Sequence, residues 1–196
     1  MMCGRQYLSS CILYLSIQQV VAAPMPSEWG ALKVGGQFGN ECPNISGEYQ
    51  NVGEIAKNNP SHHPYDIREL DSLFPFYAKT PNHLKKFIFT QKGSQEMETI
   101  AVGEMGESIK RAYVQGVSDL EGNNNFYCEA NSIVLKEQTE YSGEQGKGVT
   151  EVVTQVMLAK DGALIVHRTI HKKLTSLLIF TSSDTDEYWW RFLPVQ

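Results

Sequence analysis

The chain has 196 residues, enough for one domain with a substantial core, and 41% of them are hydrophobic. Its 22 acidic residues outnumber 17 basic ones, which gives a formal net charge of −5. This balance argues against nucleic acid as a partner, because phosphate binding needs a basic face, and it is compatible with a basic protein partner.

The first 22 residues have the pattern of a cleavable export signal. Arg5 is the only charged residue of this stretch, an apolar run over residues 8–17 follows it, and Val20 and Ala22 fit the small-x-small cleavage rule. A spanning helix needs about 20 mostly apolar residues, and several Ser and Gln residues interrupt this run. The sequence therefore predicts a signal peptide over residues 1–22 and an exported protein, periplasmic or extracellular, that is soluble rather than membrane-spanning.

The predicted signal peptide determines which cysteines remain in the exported protein. Loss of the signal removes Cys3 and Cys11 and leaves Cys42 and Cys128 in an oxidising compartment, where two cysteines favour one disulfide. The alternatives are two unpaired buried thiols or a lipid on one cysteine. A lipid on Cys11 is disfavoured, because the apolar stretch lies after that residue and not before it.

Residues 23–41 are rich in Gly, Pro and small polar residues, so we interpret them as a flexible lead, with Trp29 and Phe38 able to dock onto the domain. Residues 42–196 form a single predicted domain. Asp66 as N-cap, Glu69 three residues later and apolar residues at helical spacing predict one short helix near 66–74.

After Pro81 most of the sequence alternates between apolar and polar residues. Asp161-Gly162 between two β-branched runs predicts a hairpin. Residues 141–148 read as a turn region, and residues 182–187 as a turn between the last two strands. Strands at roughly ten-residue spacing predict a mainly β fold, a β-rich α+β domain arranged as an antiparallel meander, sandwich or barrel.

No motif predicts catalytic residues, a metal or a cofactor. His167 and His171 are four apart, but on a strand that spacing separates them by about 13 Å, too far for one metal ion. Asp184, Asp186 and Glu187 resemble the start of a calcium loop that lacks its glycine and its closing glutamate.

The aromatic residues of the last strand have two interpretations. Tyr188, Trp189, Trp190 and Arg191 are either part of a seam in the core or an exposed surface for a partner. These four residues are the candidate partner surface.

Two stretches of the chain resemble small exported lipoproteins of proteobacteria. The first is Cys42-Pro43-x-Ile45-Ser46-Gly47-x-Tyr49, followed by Asn51-x-Gly53-Glu54; the second comprises Asp161-Gly162-Ala163-Leu164-Ile165-Val166 and Tyr188-Trp189-x-Arg191-Phe192. Some exported lipoproteins of this size act as immunity proteins that block toxins from neighbouring bacteria. Residues 39–41 do not form a lipobox before Cys42, which favours a soluble form.

These observations lead to three hypotheses of function. The first is an exported, non-enzymatic protein-binding domain that acts as an inhibitor or as an immunity factor against a toxin. The alternative is a calycin-like barrel that carries a small apolar ligand or lipid. The third is a hydrolase that no known motif identifies.

Overall fold

The computed structural model describes residues 24–33, 42–59, 69–74, 83–116, 125–129, 131–143, 146–176 and 180–196. The predicted signal peptide, residues 1–22, lies outside the described residues, as does the later part of the predicted lead. In the part of the chain that is described, no helix is long and apolar enough to cross a membrane.

Strands account for most of the described residues, which confirms the prediction of a mainly β fold. They are accompanied by a 3-10 turn at Ser27–Trp29 and one short helix, α1, at Leu70–Leu73. The strands are β1 Gly47–Gln50, β2 Glu54–Ile55, β3 Leu84–Lys92, β4 Glu96–Gly103, β5 Ser108–Gln115, β6 Asn125–Glu129, β7 Ser132–Gly143, β8 Gly146–Leu158, β9 Leu164–Ser176 and β10 Phe180–Phe192.

The strands form one sheet in the order β1-β3-β4-β5-β6-β7-β8-β9-β10-β2. All neighbours pair antiparallel except β5 and β6, which pair in parallel. The predicted antiparallel meander therefore holds within β3–β5 and within β6–β10, whereas β1 pairs with β3 and β2 pairs with β10. The Gln50 N–H donates to the Leu193 carbonyl, and the Val195 N–H donates to the Glu48 carbonyl, both at 2.9 Å. These contacts link β1 to the chain after β10, but the sheet is not closed into a barrel.

One core joins strands from both halves of the sheet, and we call it the inner core. At its centre the Phe74 ring lies 5.3 Å from that of Phe89 and 6.2 Å from that of Phe87, measured between centroids. Phe74 directly follows α1, so the helix positions this ring over β3. Other large, fully buried side chains of the inner core are Phe126, Ile133, Leu164 and Phe192. Burial of each such side chain stabilises the fold by about 1.5–3 kcal/mol.

A second, smaller cluster lies on the opposite, outer face of β8, β9 and β10. It brings Met25, Trp29 and Leu32 against Met157, Ile165 and Trp189. The Lys33 N–H also donates to the Leu158 carbonyl at 2.7 Å, and the Lys160 N–H donates to the Ala31 carbonyl at 3.0 Å. Residues 24–33 belong to the predicted flexible lead, and the structure docks them on the sheet through the buried Trp29 ring.

Two local predictions can be compared directly with the structure. The predicted short helix is present as α1, although it covers only four residues and Asp66 lies outside the described part. The Asp161-Gly162 hairpin is confirmed between β8 and β9. Gly162 has a φ of 88°, which favours glycine, and the Asp161 carboxylate accepts the Ala163 N–H at 3.0 Å.

The turn predicted at residues 182–187 is wrong, because this segment lies inside the thirteen-residue strand β10. The turn region predicted at 141–148 is likewise mostly strand, since β7 continues to Gly143 and β8 begins at Gly146. Both segments are polar on both faces. They therefore show no alternation of apolar and polar residues, although residues 182–187 pair with β9 and residues 141–143 pair with residues 146–148.

Candidate functional site

The candidate surface at the end of β10 is buried. Tyr188, Trp189 and Trp190 are 4%, 8% and 3% exposed. Tyr188 and Trp190 stack in the inner core with ring centroids 5.8 Å apart, while Trp189 belongs to the outer cluster. These rings therefore do not form an exposed partner surface. Side chains alternate between the two faces of the strand, so the rings lie in two different cores.

Arg191, the fourth residue of that candidate surface, connects three parts of the chain. Its guanidinium donates to the Glu54 carboxylate at 3.2 Å and to the Asp161 carboxylate at 2.5 Å. The Ala163 N–H and then Arg191 lower the pKa of Asp161. Glu54 lies in β2 and Asp161 lies in the turn between β8 and β9, so both ion pairs join elements of this fold. We therefore assign Arg191 a structural role.

Cys42 and Cys128 lie at disulfide distance, with their Cα atoms 5.1 Å apart. Cys42 precedes β1 and Cys128 lies in β6, and both pack against the inner core. The pair is separated by 86 residues along the chain. A disulfide here links the chain just before β1 to β6. These two strands are the outer ones of the part of the sheet ordered β1-β3-β4-β5-β6.

His167 lies on the outer face of β9, beside Trp189. The two rings stack with centroids 4.0 Å apart and an interplanar angle of 12°. Its Nδ1 lies 2.9 Å from the Gln155 amide oxygen and its Nε2 lies 3.5 Å from the Glu187 carboxylate. Burial lowers the pKa of His167, and Glu187 partly opposes that effect. In the described residues, no group of three His, Cys, Asp or Glu side chains could hold a metal ion.

The last four strands continue past the buried residues of both cores as a four-stranded arm, which we define as residues 136–143, 146–153, 169–176 and 180–187. At its base the partly buried Ile170 still packs against the inner core. Eight residues at about 3.4 Å each make the arm about 27 Å long. None of its described side chains is buried, and only the backbone of Gly148 is covered. A Cβ at Gly148 would collide with the Tyr141 ring directly opposite, so this ring takes the place of a side chain there.

Ion pairs contribute little to holding the arm. Lys172 and Asp186 pair at 2.9 Å, and Lys136 and Glu151 approach to 3.9 Å, all with substantial exposure. Exposed pairs of this kind are worth about 0–1 kcal/mol. The continuous backbone ladder between β7, β8, β9 and β10 is therefore what orders the arm.

Both edges of the arm lack a paired strand among the described residues. β6 pairs with β7 only up to Val134, and β2 pairs with β10 only at Trp190 and Arg191. Unpaired backbone N–H and C=O groups along a strand edge are a template for another chain. The β10 edge carries Asp184, Asp186 and Glu187 and no basic residue, so it is acidic.

A second group of polar side chains lies on the inner face, between β4–β5 and β7–β9. We call it the inner polar cluster, and it consists of Thr99, Arg111, Tyr113, Glu137, Thr154 and Arg168. Thr99 is directly opposite Arg111, and Thr154 is directly opposite Arg168. Burial raises the pKa of Tyr113 to about 12 and also raises the pKa of Glu137, which the nearby Arg168 partly lowers again.

Sequence reasoning did not find this cluster, although both of its arginines have a signal. Arg168 lies two residues from Val166 and Ile170, and Arg111 lies two residues from Ile109 and Tyr113. On a strand, residues two apart share a face, so a charge between two apolar residues at that spacing points towards the core.

No family model, no curated protein and no solved structure matches this chain. The resemblance to small exported lipoproteins therefore stays a prediction.

Proposed function

We propose that this chain is an exported, non-enzymatic domain that binds another protein through the arm, as an inhibitor or an immunity factor binds its toxin. The observation that carries the proposal is the arm itself. It is a regular, four-stranded extension without a core of its own and with two edges unpaired by any described residue.

The arm is hard to explain by folding stability alone. Fixing the backbone costs about 1–2 kcal/mol per residue, and burial of apolar side chains normally offsets this cost. The arm orders about eight residues in each of four strands but buries none of its described side chains. A partner that covers these strands would provide the missing burial.

The edges favour a particular mode of binding. An extended segment of a partner can add to a free edge as a further strand, with affinity from backbone hydrogen bonds and specificity from alternate side chains. The acidic β10 edge favours a basic partner segment, since opposite charges across a strand pair are stabilising. The net charge of −5 agrees with a basic partner.

Export is supported by two features. The first 22 residues have the pattern of a signal peptide. The Cys42 and Cys128 pair lies at disulfide distance, and disulfides persist mainly in oxidising compartments.

The ligand-carrying alternative receives no support from the fold. A calycin-like carrier holds its ligand inside a closed barrel, whereas this sheet is open. Fully buried rings such as Phe74, Phe87 and Phe89 occupy the inner face.

Proline substitutions along the β7 edge test the proposal. At adjacent strand positions the backbone N–H points alternately to the neighbouring strand and away from it, so Gln138→Pro and Thr139→Pro form a matched pair. One of the two removes a ladder bond to β8 and lowers stability. The other leaves the ladder intact, so we expect it to melt like the wild type and yet lose the partner. Ser183→Pro and Asp184→Pro test the β10 edge in the same way.

The readout is capture of a stoichiometric partner from a periplasmic extract by the wild type and by each variant, with thermal melting as the folding control. Loss of capture in a variant that melts normally identifies the binding edge. Equal capture by all four variants, or no stoichiometric partner for the wild type, contradicts the proposal.

A further inference from the structure

We propose that the edge of β10 in the arm takes an extended partner segment of about seven residues, with a lysine or arginine opposite Asp184. This inference rests on the proposed function, because it specifies one edge of the arm and the segment that binds there. The site is the row of backbone groups from Thr181 to Glu187. On the side away from β9, no described strand pairs with this row.

Trp189 shows which backbone groups of β10 face this edge. Its carbonyl accepts the Ala56 N–H at 3.1 Å, so the backbone groups of Trp189 point away from β9. In an antiparallel sheet the backbone groups of alternate residues point to opposite edges, and β10 pairs with β9 without a shift of register. The N–H and C=O groups of Ser183 and Thr185 therefore point to the same edge as those of Trp189.

Asn59 marks one end of the site. Its Oδ1 accepts the Trp189 N–H at 2.9 Å, and its Nδ2 donates to the Trp189 carbonyl at 3.0 Å. A neighbouring strand would make the same two kinds of hydrogen bond. The edge groups of Trp189 are thus already bonded, and an added strand can extend over residues 181–187. At about 3.4 Å per residue this row is about 24 Å long.

Asp184 covers a second edge position in the free protein. The Thr185 N–H, which points to the edge, donates to the Asp184 carboxylate at 2.9 Å. This carboxylate takes the place of a partner carbonyl, and because Asp184 is exposed it can rotate away when a strand adds. Among the described residues Asp184 forms no ion pair, since Lys172 directly opposite on β9 pairs instead with Asp186 at 2.9 Å.

The charge of this edge selects the occupant. A residue added opposite Asp184 forms a non-hydrogen-bonded pair, in which the side chains of two strands are closest. A lysine or arginine at that position pairs with Asp184, and opposite charges across a strand pair are stabilising.

A second copy of this chain does not fit the same edge. It would bring the acidic residues Asp184, Asp186 and Glu187 of both copies together, and like charges across a strand pair are destabilising. The β7 edge makes no such selection, because it carries charges of both signs, Lys136 and Glu140. The observations therefore favour a basic segment of another protein at β10.

Titration of the ¹⁵N-labelled full chain with synthetic peptides tests the proposal. The probe is a peptide of the proposed length with lysine at its centre, flanked by alternating threonine and valine, and the matched peptide has glutamate at the centre. We expect the lysine peptide to shift the backbone amide signals of Ser183 and Thr185 saturably, and not those of Thr139 and Glu140 on the β7 edge. The glutamate peptide should bind more weakly by about fivefold or more.

Charge variants locate the contact. Asp184→Asn keeps an acceptor for the Thr185 N–H but removes the charge, so the preference for the lysine peptide should disappear. Asp184→Lys should reverse the preference, with the glutamate peptide bound more tightly by about fivefold. Glu140→Lys is the matched control, because it makes the same change of charge at an exposed residue of the β7 edge, and it should bind like the wild type. Thermal melting shows that each variant is folded.

The proposal is overturned by the absence of a saturable shift at Ser183 and Thr185, by equal binding of the two peptides to the wild type, or by an unchanged preference in Asp184→Lys. The proposed function fails separately, when the wild type captures no stoichiometric partner. A partner that the wild type and Asp184→Lys capture equally leaves the proposed function standing and overturns this inference, because that partner binds another surface.

Discussion

The same four strands, β7 to β10, behave differently at their two ends. At the base, which comprises residues 132–135, 154–158, 164–168 and 188–192, side chains on both faces are packed into the inner core or the outer cluster. In the arm no described side chain is buried. The register continues without a break from one end to the other. Backbone pairing therefore defines the strands, while side-chain burial decides which part of them stabilises the domain.

Two rows of the sheet illustrate the contrast. Ile133, Val156, Val166 and Trp190 lie side by side at the base, and all are buried. Six residues further along, Thr139, Thr150, Lys172 and Asp184 form an equivalent row of the arm. The first row supplies hydrophobic stabilisation of about 1.5–3 kcal/mol per side chain, and the second supplies weak polar contacts.

The largest expected effect comes from the cysteine pair near the base. Replacing Cys42 and Cys128 by alanine should lower the free energy of unfolding by about 4–5 kcal/mol, since a disulfide over this separation restricts the unfolded chain by that amount. Urea denaturation of the variant and of the reduced wild type measures the loss. A wild type whose unfolding and mass do not change on reduction would show that the pair is not oxidised.

A matched pair of valines on β8 tests the contrast between base and arm most directly. Val156 and Val152 lie on the same face, four residues apart, and Val156 is fully buried whereas Val152 is half-buried. Val156→Ala should lower the free energy of unfolding by about 2–3 kcal/mol, and Val152→Ala by about 1 kcal/mol or less. Urea denaturation compares the two. Equal losses would mean that the arm contributes to stability as much as the base.

The smallest expected effect concerns pH and the outer face. Burial lowers the pKa of His167 in the folded state, so below the unfolded-state pKa of about 6.5 the unfolded chain binds more protons. Stability should therefore be complete above that pH and fall as the pH drops through it towards the folded-state pKa. His167→Gln should flatten this dependence, measured by urea denaturation between pH 5 and pH 8. His171→Gln, on the same face of the arm, should retain it.

Much of the base could be predicted from sequence, and most of the arm could not. The β8–β9 hairpin was predictable because Asp161-Gly162 stands between β-branched runs. The cysteine pair was predictable because Cys3 and Cys11 lie within the predicted signal peptide, which leaves Cys42 and Cys128. A strand can be recognised in a sequence when one of its faces is buried, because apolar and polar residues then alternate along it. Residues 182–187 have no buried face, so their composition resembles that of a turn.

The inner polar cluster shows a different limit of sequence reasoning. Glu137 and Arg168 lie on different strands, β7 and β9, and the register of β7, β8 and β9 places both on the same face of the sheet. Alternation predicts that Arg168 points inwards, but it does not predict what Arg168 faces. The burial of Trp189 under Trp29 depended likewise on the docking of residues 24–33.

The contacts between β1–β2 and the last residues of the chain also affect how the protein folds. Glu54 and Arg191, which join β2 to β10, are 137 residues apart in sequence. Contacts of such long range form slowly, and folding dominated by them takes milliseconds to seconds. The sheet cannot be completed until residues 190–195 have been synthesised. The emerging chain therefore lacks these strand pairs until residues 190–195 have been made, however early its other strands can pair.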